Sequence, residues 1–220
     1  MNKRQKTTII FTITLASLIP LASGIAEELI KRVVFLGDSL TAGYALDLDQ
    51  AYPALLQHKI NEAGLPFTVV NSGISGDTTA GGLRRMDWLM RKPIDVLVVA
   101  LGANDGLRGL SLAALEENLN GIIDKARDHN PDIRILLAGM LLPANMGSDY
   151  KDGFDAVFPR VAGSKDVAFM PFLLEDVAGV PHLNLPDGIH PTAEGYRIIA
   201  TNLWSYLKPL LENGPRIQPD

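Results

Sequence analysis

Five short runs rich in Val, Ile and Leu alternate along this chain with longer stretches of helical periodicity, and that alternation leaves few folds open. Parallel strands need long crossover connections, which helices supply, and a sheet covered by helices on both faces reads as near-continuous apolar strands. The runs are Arg32 to Leu36, Phe67 to Asn71, Asp95 to Leu101, Ile133 to Gly139, and Val167 to Met170. Between them the pattern predicts helices at Tyr52 to Ala63, Thr79 to Met90, Leu112 to His129, and Tyr150 to Val161. A last helix follows His190-Pro191-Thr192. Its Tyr196, Ile199, Leu203, Tyr206 and Leu210 recur at steps of three and four and mark one core-facing stripe, with Thr192 placed to cap the first turn. The expectation is an α/β fold with a parallel central sheet of about five strands.

The 220 residues, 47% apolar and 20% charged, have room for one sizeable core and one domain, expected over 27–212. Ahead of it, Lys3, Arg4 and Lys6 precede an uncharged, mostly apolar stretch from Thr7 to Ala26 with small residues Gly24 and Ala26 at its end. This is the layout of a secretory signal peptide over 1–26, cleaved after Ala26, and it predicts a periplasmic or secreted protein with no stable membrane span. The alternative is an uncleaved membrane anchor, for which the stretch is barely long enough and carries Pro20. The tail over 213–220, with Gly214, Pro215 and Pro219, is expected to fray. Cleavage lowers the basic count from 20 to 17 against 25 acidic residues, a net charge of −8. An acidic surface without a basic cluster repels phosphates, which argues against nucleic acid and for a small neutral or apolar substrate. Absence of cysteine excludes a disulfide framework, thiolate zinc sites and a cysteine nucleophile. A monomer or weak oligomer is expected.

Chemistry-bearing residues fall where the strands end. Ligand crevices in open α/β sheets lie beyond the carboxyl ends of the strands. Gly37-Asp38-Ser39-Leu40 follows the first strand and puts Ser39 near a helix start, where free backbone N–H groups favour an oxyanion. Asp187-Gly188-Ile189-His190 lies between Pro186 and Pro191, so one turn can bring the carboxylate beside the imidazole. A serine hydroxyl becomes a nucleophile when an imidazole takes its proton and a carboxylate orients that imidazole. Donors for an oxyanion can come from Asn71-Ser72-Gly73-Ile74-Ser75-Gly76, through the Gly73 N–H, and from Gly102-Ala103-Asn104-Asp105-Gly106, through the Asn104 amide. Each segment alone reads more readily as an ordinary turn than as a functional one; their meeting at one sheet edge is the signal. Asp38 and Asp105 fit turn and helix-cap roles better than metal ligation. His58, His129 and His182 have no partner spacing. The Gly-x-Ser-x-Gly elbow, zinc-protease, Walker and dinucleotide motifs are missing, and neither metal nor cofactor is expected.

The ordered blocks Gly37-Asp38-Ser39, Gly73, Gly102-Ala103-Asn104-Asp105 and Asp187-Gly188-Ile189-His190 resemble those of the SGNH hydrolase, or GDSL-type esterase, superfamily, over about Arg32 to Leu211. Thr41-Ala42-Gly43-Tyr44, Asn104 through Leu110, Leu142-Pro143-Ala144-Asn145 and Asp187 through Pro191 are similar in particular to secreted bacterial arylesterases and multifunctional acyl-CoA thioesterase/lysophospholipases. The resemblance implies a three-layer α/β/α, flavodoxin-like fold. It implies Ser39 as nucleophile, Asp187 and His190 as its partners, and an oxyanion hole of the Ser39 and Gly73 N–H groups with the Asn104 amide. It also implies loops at Gly106, Leu107, Leu110, Pro143 and Met146 bordering an acyl pocket, Met146 standing where relatives often carry an aromatic. A small-molecule ester substrate follows, and an O-acetylated carbohydrate would suit the same chemistry. A non-catalytic envelope binding protein is the reading from another class, against which the intact Ser39, Asn104, Asp187 and His190 stand.

Overall fold

A computed structural model describes residues 30–212. The expected leader (1–26) and tail (213–220) lie outside the described residues. Five strands form one parallel sheet: β1 (Lys31–Gly37), β2 (Phe67–Gly73), β3 (Val96–Ala100), β4 (Arg134–Ala138) and β5 (Ala168–Met170), in the order β2-β1-β3-β4-β5. Val33–Leu36 and the whole of β3 are fully buried, which is why these runs are apolar without alternation. The edge strand β2 is half-exposed beyond Phe67 and tolerates Thr68 and Asn71.

The crossovers are α2 (Tyr52–Glu62) from β1 to β2, α3 (Thr79–Leu89) from β2 to β3, α5 (Leu112–His129) from β3 to β4, and α6 (Ser148–Asp155) with α7 (Val157–Lys165) from β4 to β5. Right-handed crossovers running in opposite directions along a sheet cover opposite faces. Accordingly α2 packs with the final helix α8 (Ala193–Glu212), and α3, α5 and α7 form a separate contiguous row. The result is the three-layer α/β/α arrangement expected from the sequence. Its direction of winding reverses between β1 and β3, which opens a crevice at their carboxyl ends.

Local chemistry sets the helices. Ser111 caps α5 by accepting from Ala114 N–H, Leu115, Leu119, Ile122, Ile123 and Ala126 fill its buried face, and Arg127 and His129 sit at its negative C-terminal end. Thr192 Oγ1 accepts from Gly195 N–H at the start of α8, as expected. Two expectations need correction. The single helix over Tyr150 to Val161 is two, broken at Ala156: Pro159 has no N–H to give the Asp155 carbonyl, which removes a rung of the ladder at the break. In α8 the stripe passes through Leu207, fully buried, while Tyr206 is only half-buried. The helix also runs past Pro209, its last turn held by buried Leu210 and Leu211.

Candidate active site

Beyond β1 the chain turns into a one-turn helix, α1 (Ser39–Ala42), with Asp38 as its cap: Asp38 Oδ1 accepts from Leu40 N–H at 3.0 Å. Ser39 thus occupies the first helical position, and its own N–H makes no hydrogen bond among the described residues. Two buried tyrosines anchor the turn. Tyr196 donates to the Leu40 carbonyl at 2.8 Å, and the Tyr52 and Thr41 hydroxyls meet at 2.6 Å.

The Asp187–His190 loop is closed by backbone bonds, Leu185 N–H to the His190 carbonyl at 2.7 Å and Gly188 N–H to the Leu185 carbonyl at 2.9 Å. Asp187 Oδ1 accepts from the N–H groups of Ile189 and His190 at 2.9 and 3.0 Å, while Oδ2 lies 2.7 Å from His190 Nδ1. The backbone N–H of His190, then its ring, then the N–H of Ile189 hold the Asp187 carboxyl down to about 2. An ionised carboxylate only accepts, so Nδ1 carries the ring proton and Nε2 is free to accept. Nε2 lies 2.9 Å from Ser39 Oγ, across 151 residues of sequence. Hydroxyl, ring and carboxylate form one hydrogen-bonded line.

Asn104 comes from α4 (Ala103–Leu107), which starts directly after β3 because Gly102 adopts a φ of +120°, with Phe158 packed where a side chain would stand. Its Nδ2 donates to the Asp77 carbonyl at 2.9 Å and to Asp38 Oδ2 at 3.3 Å, and its Oδ1 accepts from Arg108 at 3.4 Å. Asp38 is fully buried, and desolvation pushes its carboxyl up to about 6 against the pull of the Leu40 N–H, the nearby His190 and the Asn104 amide.

The expected Gly73 donor needs correction. Gly73 N–H is already bonded to Asn71 Oδ1 at 2.9 Å, and Asn71 Nδ2 is tied to the Thr41 carbonyl at 2.8 Å. The neighbouring Gly76 has a φ of +78°, and its N–H has no acceptor among the described residues. Its carbonyl accepts from Arg108 Nη2 at 2.9 Å, the same nitrogen that reaches Asn104, so Gly76 lies beside that amide.

Leu110 and Pro143 are exposed loop residues, as a crevice border would require, whereas exposed Leu107 is the last residue of α4 and half-buried Met146 lies in a 3-10 turn, Ala144–Met146, rather than in open loop. Gly106 is not at the surface: it is covered by Leu142 and Phe154, whose atoms leave no space for a side chain. Asp38 and Asp105 both spend their oxygens on protein donors, Asp105 accepting from Thr79 N–H at 2.9 Å and from the Thr79 hydroxyl at 2.6 Å. The sequence reading passed over Arg85, whose Nε bonds Asp77 at 2.9 Å and whose Nη2 bonds the Gly37 carbonyl at 2.9 Å, joining the Gly76 loop to the end of β1. Arg108 stood in the segment Asn104 to Leu110 that carries the resemblance, but without a role of its own, and Arg85 stands in no pattern that composition or spacing distinguishes from surface charge.

Residues 35–198 match the model of the GDSL-like Lipase/Acylhydrolase family. The chain is 42% identical over 182 residues to Esterase TesA of Pseudomonas aeruginosa, covering 82% of this chain and 90% of that protein. It is 39% identical over 183 residues to Thioesterase 1/protease 1/lysophospholipase L1 of Escherichia coli, covering 82% and 85%. Among solved structures, esterase EstA from Pseudoalteromonas sp., inhibited by monoethylphosphonate, superposes with a TM-score of 0.78 at 30% identity, covering 83% of this chain and all of that one. With its sheet order, its site at the β1–β3 edge and these relatives in agreement, the chain belongs to the GDSL-like lipase/acylhydrolase family.

Proposed function

We propose that the protein hydrolyses carboxylic esters, and thioesters of the same acyl groups, through an acyl-enzyme on Ser39. The observation that carries this reading is the line Ser39 Oγ to His190 Nε2 at 2.9 Å and His190 Nδ1 to Asp187 Oδ2 at 2.7 Å. His190 takes the Ser39 proton as Oγ attacks the carbonyl carbon, and Asp187 stabilises the imidazolium that forms. The developing oxyanion is received by the free N–H groups of Ser39 and Gly76 and by Asn104 Nδ2. Both Asn104 amide hydrogens have acceptors at rest; the one shared with Asp38 at 3.3 Å is the weaker contact, and an oxyanion takes it over. The imidazolium then protonates the leaving alcohol or thiol. Water, activated by the same ring, releases the acid.

An apolar acyl group suits the surroundings. Ile74, Leu107, Leu110, Leu141 and Ile189 are all exposed large apolar residues, Leu107 at the end of α4 and the others on loops after strand ends or beside His190. The names of the relatives, an esterase and a thioesterase/lysophospholipase, support the same substrate range. The basic and apolar pattern of residues 1–26 supports export from the cytoplasm. Among the described residues no helix is long and apolar enough to cross a membrane. A panel of p-nitrophenyl esters from acetyl to palmitoyl with one acyl-CoA, run beside Ser39→Ala, tests the proposal. The wild type should turn over a band of chain lengths and the variant none; equal rates for the two proteins refute it.

A further inference from the structure

We propose that Tyr44 is a positioning residue for His190, its ring face holding the imidazole in line and stabilising the imidazolium during acyl transfer; the inference rests on the catalytic reading above. The two rings stack with centroids 4.3 Å apart and planes inclined by 33°. Tyr44 is 48% exposed, so core packing does not account for where it sits.

The backbone is shaped to put it there. Gly43 closes α1 with a φ of +79°, and Ala45 has a φ of +61°, a left-handed conformation uncommon for any residue with a side chain. Strained residues of this kind persist where the surrounding structure holds them, and they gather at functional sites. Here the hold comes from the nucleophile itself, since the N–H groups of Gly43 and Tyr44 both donate to the Ser39 carbonyl at 3.1 Å. One turn therefore fixes the serine, and the same turn lays the aromatic face on the ring that deprotonates it.

The charged groups acting on His190 are Asp187, bonded to Nδ1 on its own loop, and Asp38, buried at the end of β1 and coupled to it through space. Asp187, held down to about 2, is an anion throughout; Asp38, pushed up to about 6, becomes one only as pH rises past that value in wild type and variants alike, and neither contacts the ring face. An aromatic face attracts a cation, and imidazolium is the charged state that the reaction creates. Cover and attraction have opposite signs in a pH profile. Removing a mere cover lets in water, which favours the charged ring and moves the acid limb of kcat/KM to higher pH; removing a cation-attracting face moves it to lower pH.

The test uses Tyr44→Ala, Tyr44→Leu and Tyr44→Phe with a p-nitrophenyl ester, reading kcat, KM and the pH profile, with Ser39→Ala as control. Tyr44→Ala and Tyr44→Leu should lower kcat about 3-fold with little change in KM and move the acid limb down by about half a pH unit, the size of an exposed cation–aromatic contact. Tyr44→Phe keeps the ring face and should recover most of both. Full recovery by Tyr44→Leu, or an acid limb that stays or rises in Tyr44→Ala, overturns the proposal while leaving the Ser39 mechanism intact. An active Ser39→Ala overturns that mechanism and this inference with it.

Discussion

Asp38 gives the site a measurable cost in stability. It is fully buried, and burial raises its carboxyl from the ordinary 3.8 to about 6. Between those two values the folded protein binds a proton that the unfolded chain releases, so stability falls as pH rises through that window. At about 1.4 kcal/mol per pH unit the whole gap is worth about 3 kcal/mol, of which about 2 kcal/mol is lost between pH 4 and pH 7, because the unfolded carboxyl is already more than half ionised at pH 4. Asp38→Asn removes the charge and with it this dependence. It also puts an NH2 group where one carboxylate oxygen accepted, either from Leu40 N–H or from Asn104 Nδ2, a cost of about 1–3 kcal/mol that does not vary with pH. Urea unfolding of both proteins at pH 4 and pH 7.5 separates the two effects, because other titrating groups cancel in the difference. The variant should gain about 2 kcal/mol on the wild type between the two pH values. A difference that stays constant would refute the desolvated carboxylate.

Asn104→Ala should lower kcat about 10²- to 10³-fold, the loss typical of one oxyanion donor, in a protein that still folds but melts somewhat lower because the contacts to Asp38 and the Asp77 carbonyl are lost; an unchanged rate well below the melt removes Asn104 from the mechanism. Phe154→Ala should cost about 3–5 kcal/mol in urea unfolding, since the ring is fully buried against Phe158 and over Gly106. It should also weaken the support under α4, so kcat should fall before the protein unfolds, and a rate that stays level up to the unfolding transition would count against that link.

The sheet was legible because Val33–Leu36, Val96–Ala100 and Leu136–Ala138 are covered on both faces, and that burial selects apolar residues without interruption. The site's poles were legible for a related reason: Ser39, Asn104, Asp187 and His190 carry side-chain chemistry that few other residue types can supply. The proposed glycine donor was not: Gly73 ends β2 and Gly76 follows three residues on in the loop, and the choice turns on which N–H is already bonded to Asn71, a matter of backbone angles rather than residue type. Gly106 misled in the same way, its place beneath Leu142 and Phe154 being set by packing from α6 and the β4 loop. Tyr44 stood in the recognised segment, but its stacking on His190 depends on a contact between chain segments that meet only in the folded protein.

The most direct test of the central claim is to trap the nucleophile. A fluorophosphonate added to the full chain at neutral pH, followed by digestion and mass spectrometry, should place a single adduct on Ser39, fast in the wild type and slowed by orders of magnitude in His190→Ala. An adduct on another residue, or labelling of Ser39 at the same rate without His190, would contradict the hydrogen-bonded line from which the whole mechanism is built.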